Sequence, residues 1–395
     1  MKLGAAAALL YLATTAAVTP AALAGSWSTL GGPVAQLGSD ASHAGTDLLV
    51  PLGGSPWAVY SKQQRDGKTS CVIKHWVAGK GWAALAPALA NCSLPKVAAG
   101  PGGSAYLAFY DGSCPDTSNP VSVMRWRPGG RWKAVGPRCF FKPEPDTLTL
   151  AVRANGHPVV AMNIEKVEMG FLVYPRLSYW DGSTWTTVGD LGWYDLSSVI
   201  VRRMYVRGKS GGWPAETALI FAQHAYDGSW QLLTFDFSDY DTTGSAGTLW
   251  YGGDFQGGSG DVATYAQDAA GDVWIAVHAQ DSTKVHIARI VRKPNSDIVP
   301  EELPAPPVPP ALPDPWAAFA LAVGVNRTAF LAYQDGTKAT VKQFSQGAWR
   351  AVGPARALPG GSALMLAAGR RSSAPIAAIP DAKGQLVAYI YKSNR

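Results

Sequence analysis

The chain has 395 residues and a formal net charge of +6; 47% of its residues are hydrophobic, 16% are charged, and it holds 43 Gly and 29 Pro. So much apolar material excludes a disordered polymer, and Gly plus Pro at roughly one position in five excludes coiled coils and long helical bundles. Arg202-Arg203 and Arg370-Arg371 are the only adjacent arginines, so no basic run tracks a nucleic-acid backbone.

In chain order, residues 1–24 read as a secretory signal peptide. Met1-Lys2 precedes an apolar run from Ala5 to Val18, and Ala22-Leu23-Ala24 gives a small-residue cleavage pattern before Gly25. The run is shorter than the about 18 apolar residues that cross a bilayer. The mature chain, 25–395, is therefore expected outside the cytosol, secreted or in a cell wall, with no membrane insertion after cleavage.

From there a phrase recurs: Trp, two residues, Leu or Val, then a small residue. It stands as WSTLG at Trp27, WAALA at Trp82, WKAVG at Trp132, WTTVG at Trp185 and WRAVG at Trp349, with a weaker copy at Trp250. Intervals of about 50–65 residues, then one of nearly twice that, place a copy without Trp near 298–303. Before each Trp come runs such as AYLAFYDG from Ala105 and VMRWRPGGRW from Val123, alternating in polarity and separated by Gly turns. These are four antiparallel strands, a to d, per unit.

Units of that length and composition are propeller blades. They fall at about 44–86, 94–136, 146–189, 197–253, 260–303 and 316–353, with a seventh from Ser362 that lacks its d strand. Gly25–Gly31 is a d strand with no a, b or c before it. The fold class expected is all-β: a single seven-bladed β-propeller whose ring closes when the segment around Trp27 joins the C-terminal blade, removing two open sheet edges. The Trp is expected to pack between blades. Two stretches depart from the pattern: a Gly-rich one at 244–260, and a Pro-rich inter-blade strap at 301–315.

Cys71, Cys92, Cys114 and Cys139 are even in number behind a leader and lack zinc spacing, which favours two disulfides. Cys71–Cys92 with Cys114–Cys139 is the first pairing; a Cys92–Cys114 bridge across neighbouring blades is the alternative. In a four-stranded blade the b–c loops and d–a connections share one face. That face is expected to carry the thiols, the longest loops and the ligand. Its candidate binding residues end the b strands: Ser61, Tyr110, Asn163, His224, His278 and Gln334, a polar column suited to a hydroxyl-rich ligand. Asn326 and Asn91 begin glycosylation sequons.

No nucleophile elbow, zinc helix, Walker loop or dinucleotide glycine pattern occurs, so neither catalytic residues, nor a metal, nor a cofactor is expected. Asp111, Asp227 and Asp335 each precede Gly and read as turn residues rather than as a catalytic carboxylate pair.

The W-x-x-[LV]-G phrase, with the preceding Tyr179-Trp180-Asp181-Gly182 turn, resembles that of secreted tryptophan-motif β-propellers, a group including seven-bladed propeller lectins and kelch-like assemblies. The resemblance covers nearly all of the mature chain. It implies a non-catalytic recognition module with glycans or cell-wall polysaccharide as partners. The alternatives are a propeller enzyme acting on extracellular polysaccharide around His224 and His278, and a protein-interaction scaffold using the Pro-rich strap.

Overall fold

Short alternating runs between Gly turns have no length for helices and no way to bury an apolar face except against another sheet. The structure is a computed structural model that describes residues 25–36, 47–49, 55–64, 67–115, 120–141, 147–166, 172–188, 199–208, 213, 216–224, 230–237, 248–255, 262–268, 270–278, 285–292, 298–306, 319–335, 337–345, 347–357, 364–368, 374–380 and 385–393. The expected leader, 1–24, lies outside them, as do 307–315 of the strap. Among the described residues no helix is long and apolar enough to cross a membrane.

The strands form seven antiparallel sheets, the blades of a β-propeller. Strands a to d are Asp47–Leu49, Trp57–Gln63, Thr69–Val77 and Gly81–Ala84 in blade 1. In blade 2 they are Cys92–Ala99, Ala105–Asp111, Val121–Trp126 and Lys133–Ala134; in blade 3, Thr149–Val152, Pro158–Lys166, Leu172–Trp180 and Trp185–Val188. Blade 4 has Val199–Arg207, Thr217–His224, Trp230–Asp236 and Thr248–Phe255, so the Gly-rich stretch supplies a strand. Blade 5 has Val262–Gln267, Val273–His278, Val285–Arg292 and Ile298–Leu303, the last overlapping the first three residues of the strap. Blade 6 has Phe319–Val323, Ala329–Asp335, Lys338–Ser345 and Ala348–Ala351. Blade 7 has Met365–Ala368, Pro375–Pro380 and Gln385–Ser393, and takes Gly25–Thr29 as its d strand.

The two ends thus share one sheet. Trp27 lies opposite Tyr391 and Thr29 opposite Tyr389. Each b strand is covered on both sides, which is why Ala105–Asp111 and Val273–His278 are buried at every position. Among the described residues, seven clusters of buried side chains form the core, one at each junction between adjacent blades. Trp27 sits in the cluster joining blade 6 to blade 7.

The repeated phrase is a latch between blades. The indole N–H of Trp27 donates to the carbonyl of Val352 at 2.9 Å, that of Trp82 to Leu30 at 2.9 Å, and that of Trp185 to Val135 at 2.8 Å. Trp132 and Trp349 reach Pro87 and Pro304 in the same way. Each acceptor lies one to three residues beyond the d strand of the preceding blade. The Gly that closes the phrase has positive φ at Gly31, Gly136 and Gly353. A Cβ on Gly136 would stand 2.7 Å from both Trp180 and Trp185. Gly136→Ala is accordingly expected to lower stability by about 2–3 kcal/mol, from the backbone penalty and the clash together, read as a shift in the urea midpoint.

Cys71 is bonded to Cys92, and Cys114 to Cys139, with Cα separations of 5.3 and 5.8 Å. The first bridge ties strand c of blade 1 to the start of blade 2; the second closes the b–c turn of blade 2 onto its exit. Beside it Asp111 accepts hydrogen bonds from Ser113, Ser122 and Arg138. Burial pushes the Asp111 carboxyl up, but these bonds outweigh it and hold it below the ordinary carboxylate range. Asp111 thus ends strand b with its carboxylate engaged in structure rather than standing in the turn; Asp335 likewise ends strand b of blade 6, and Asp227 lies outside the described residues.

Candidate functional site

Of the expected polar column only His224 and His278 end their b strands; Tyr110 and Gln334 stand one residue short of the end, Ser61 two and Asn163 three, and the column is largely interior. Tyr110, Asn163, His278 and Gln334 are buried, and Ser61 is half-buried. The Asn163 side-chain carbonyl accepts from the backbone N–H of Val201 at 2.6 Å, and the Asn163 backbone N–H donates to the Thr147 hydroxyl at 3.0 Å. It therefore joins blade 3 to blade 4. His278 is 2% exposed, with its ring centroid 6.2 Å from that of Phe319. His224 ends strand b of blade 4 opposite Val199; its side chain is outside the described set. Many residues of the b–c and d–a loops are outside it as well.

Two cavities formed by described residues lie on the opposite face, with the a–b and c–d turns. The larger, about 630 Å³, is the mouth of the central channel. All seven a strands line it, mostly with small apolar side chains, alongside Arg153, Arg203, Tyr205, Tyr265 and Gln267. Both of these arginines are committed to the fold. Arg153 pairs with Glu216 at 2.7 Å and lies 4.1 Å from the centre of the Phe237 ring; Arg203 lies over Tyr205.

The second cavity, about 490 Å³, is a wedge between blades 2 and 3. Its blade 2 wall is the Arg125-Trp126-Arg127-Pro128-Gly129-Gly130-Arg131-Trp132-Lys133 hairpin. Strand c ends at Trp126, Gly129 takes positive φ, and the Gly130 N–H donates back to Arg127 at 2.9 Å. This tight turn brings Arg125, Arg127, Arg131 and Lys133 to the cavity. Arg125 and Lys133 are directly opposed across the c–d ladder. Arg127, Arg131 and Lys133 are exposed.

The blade 3 wall is built from its a–b and c–d turns, with Gly156, His157, Trp180 and Gly182. Asp181 organises the second turn by accepting from the N–H groups of Thr184 and Ser183, both at 2.7 Å, and from their hydroxyls. Those bonds hold its carboxyl far below the usual range. The adjacent Gly182 has φ of 115°, and a Cβ there would press on the His157 ring at 3.3 Å, so glycine lets the two turns meet. Burial, reinforced by Arg153, holds His157 below its ordinary value despite Asp181 and Glu216, leaving a neutral imidazole at pH 7. Tyr106 spans the floor, its phenol donating to the Gly156 carbonyl; burial raises its pKa, against the opposing pull of Arg125 and Arg127.

Chemically, the wedge offers an indole, a phenol ring and a rim of donors from guanidinium, ammonium and imidazole groups. Its lining contains no carboxylate. The column expectation did not include this site. The signal was present as basic residues at alternate positions on both arms of the hairpin, R-x-R before the Gly turn and R-x-K after it.

No family model matches the chain, and no curated protein matches it. Among solved structures, the fucose-specific lectin from Aleuria aurantia is similar over 81% of this chain and 98% of its own, at 12% identity and TM-score 0.45. The SapL1 lectin, in complex with alpha methyl fucoside, is similar over 84% and 100%, at 13% identity and TM-score 0.47. The polysaccharide lyase Uly1 is similar over 89% and 90%, at 8% identity and TM-score 0.47.

Proposed function

We propose that this propeller is an exported, non-catalytic recognition module that binds saccharides, with the wedge between blades 2 and 3 as its principal site. The observation that carries this reading is the pairing, in one concave site, of a half-exposed indole at Trp180 with converging hydrogen-bond donors. An indole stacks on the C–H face of a sugar ring, and donors fixed around it read the oxygen pattern. A two-walled wedge held by a latch, with Trp185 donating to Val135, is already formed before any ligand arrives.

Two disulfides support export, because such bonds persist in oxidising compartments. The leader at 1–24 and a glycan on the exposed Asn326 belong to the same proposal, and Asn91, half-buried beside Cys92, is the second sequon. The column of Ser61, Tyr110, Asn163, His224, His278 and Gln334 is proposed as the floor that supports the b–c loops, with any ligand contact there made by the loops above it.

Binding to a panel of immobilised saccharides tests the reading. The native chain is expected to retain a defined subset, and Trp180→Ala to weaken retention by tenfold or more, because the stacking face is lost. Undiminished retention by Trp180→Ala would remove the wedge from the account.

A further inference from the structure

The wedge concentrates positive charge that no carboxylate among the described residues pairs. Elsewhere, Arg138, Arg153, Arg207, Arg289, Arg292 and Arg327 each form an ion pair with a carboxylate. Among the described residues, none of Arg125, Arg127, Arg131 and Lys133 forms one. Arg125 has its guanidinium 5.5 Å from the centre of the Tyr106 ring, yet its Nε is buried without a hydrogen-bond partner.

Two like charges directly opposed on a ladder, as Arg125 and Lys133 are, destabilise a sheet unless something negative lies between them. The acid on the lining turns, Asp181, is already committed to Ser183 and Thr184. Four cations converging on one notch raise the local concentration of anions and offer them charge-assisted hydrogen bonds.

From this geometry we infer that the wedge selects a saccharide carrying a negative group, a uronate carboxylate or a sulfate ester, over its neutral counterpart. The inference rests on the saccharide reading of the same wedge. Trp180 would take the ring face, and the guanidinium forks of Arg125, Arg127 and Arg131 would take the anion in paired hydrogen bonds, with Lys133 supplying a point charge.

The test is titration of the full chain, at low ionic strength, with matched probes. These are oligogalacturonate against its methyl ester for the carboxylate, and dextran sulfate against dextran for the sulfate. Two variants of equal charge are compared: Arg127→Gln/Arg131→Gln/Lys133→Gln in the wedge, and Lys62→Gln/Lys80→Gln/Lys338→Gln on exposed positions elsewhere. All six side chains are exposed, so both variants are expected to fold, and their melting curves verify it. The expected result is that at least one anionic probe binds tenfold or more tightly than its neutral partner. The wedge variant loses that preference, while the control variant changes affinity less than about threefold. The arm that responds separates carboxylate from sulfate.

Equal affinity for charged and neutral probes, abolished by Trp180→Ala, overturns the charge inference and leaves the saccharide reading standing. Equal losses in both triple variants also overturn it, since attraction would then be to net charge and not to this site. Failure of every probe and of the saccharide panel to bind overturns the saccharide reading itself.

Discussion

Trp27→Ala is expected to destabilise the chain by about 3–5 kcal/mol, the range for removing a large buried aromatic. Its indole is buried in the cluster joining blade 6 to blade 7, donates to Val352, and lies 5.6 Å from the Tyr391 ring. The strand that carries it also supplies the Leu30 carbonyl that accepts from Trp82 of blade 1. One substitution therefore loosens both junctions of the blade that closes the ring. Trp132 makes the same latch but is only half-buried, so Trp132→Ala is expected to cost about 1–2 kcal/mol. Urea unfolding followed by tryptophan fluorescence measures the difference. Equal effects at the two positions would mean that closure contributes nothing beyond an ordinary blade contact.

Asp272→Ala is expected to cost about 3–5 kcal/mol, because it strands a buried cation. Asp272 ends the a–b turn of blade 5 and accepts from Arg207 of blade 4, whose side chain is 3% exposed, at 2.5 Å. Arg327 of blade 6 reaches its other oxygen at 3.3 Å, so a single carboxylate links three blades. Arg207 also stacks on Trp213, 5.1 Å from the ring centre. Replacing both partners, as Arg207→Met/Asp272→Ala, is expected to recover part of the loss, since no unpaired charge remains buried. A double variant less stable than Asp272→Ala alone would show that the Arg207 stem, not the ion pair, holds the junction.

Much of this architecture is legible in the sequence because a blade is a local object. Gly turns and alternating strands mark most hairpins, the b–c and c–d connections of blade 5 at 279–284 and 293–297 having no Gly, and the orphan d strand at Trp27 matches the blade that lacks one. The partner of each Trp is a different matter. Val352 and Trp27 are distant in the chain, and only the ring brings the indole to the end of the preceding d strand.

The polar residues at or near the ends of the b strands read as surface, since a polar side chain after an apolar run ordinarily meets water. The b strand is the middle of a blade covered on both sides, and Asn163 uses its amide to hold blade 4. Pairing of the thiols was open between two patterns because spacing alone does not say which turn faces which; the folded a strand of blade 2 places Cys92 5.3 Å from Cys71, Cα to Cα. The wedge is not legible as a run of residues. Its four cations come from two arms of one hairpin, and no count of adjacent basic residues finds a cluster that only the turn assembles.

The most direct measurement of the central claim is a crystal structure of the full chain with a saccharide that it retains. The account predicts density against Trp180, between the blade 2 hairpin and the His157 turn. A saccharide seated only in the central channel or on the b–c loops, with the wedge holding water, would contradict it.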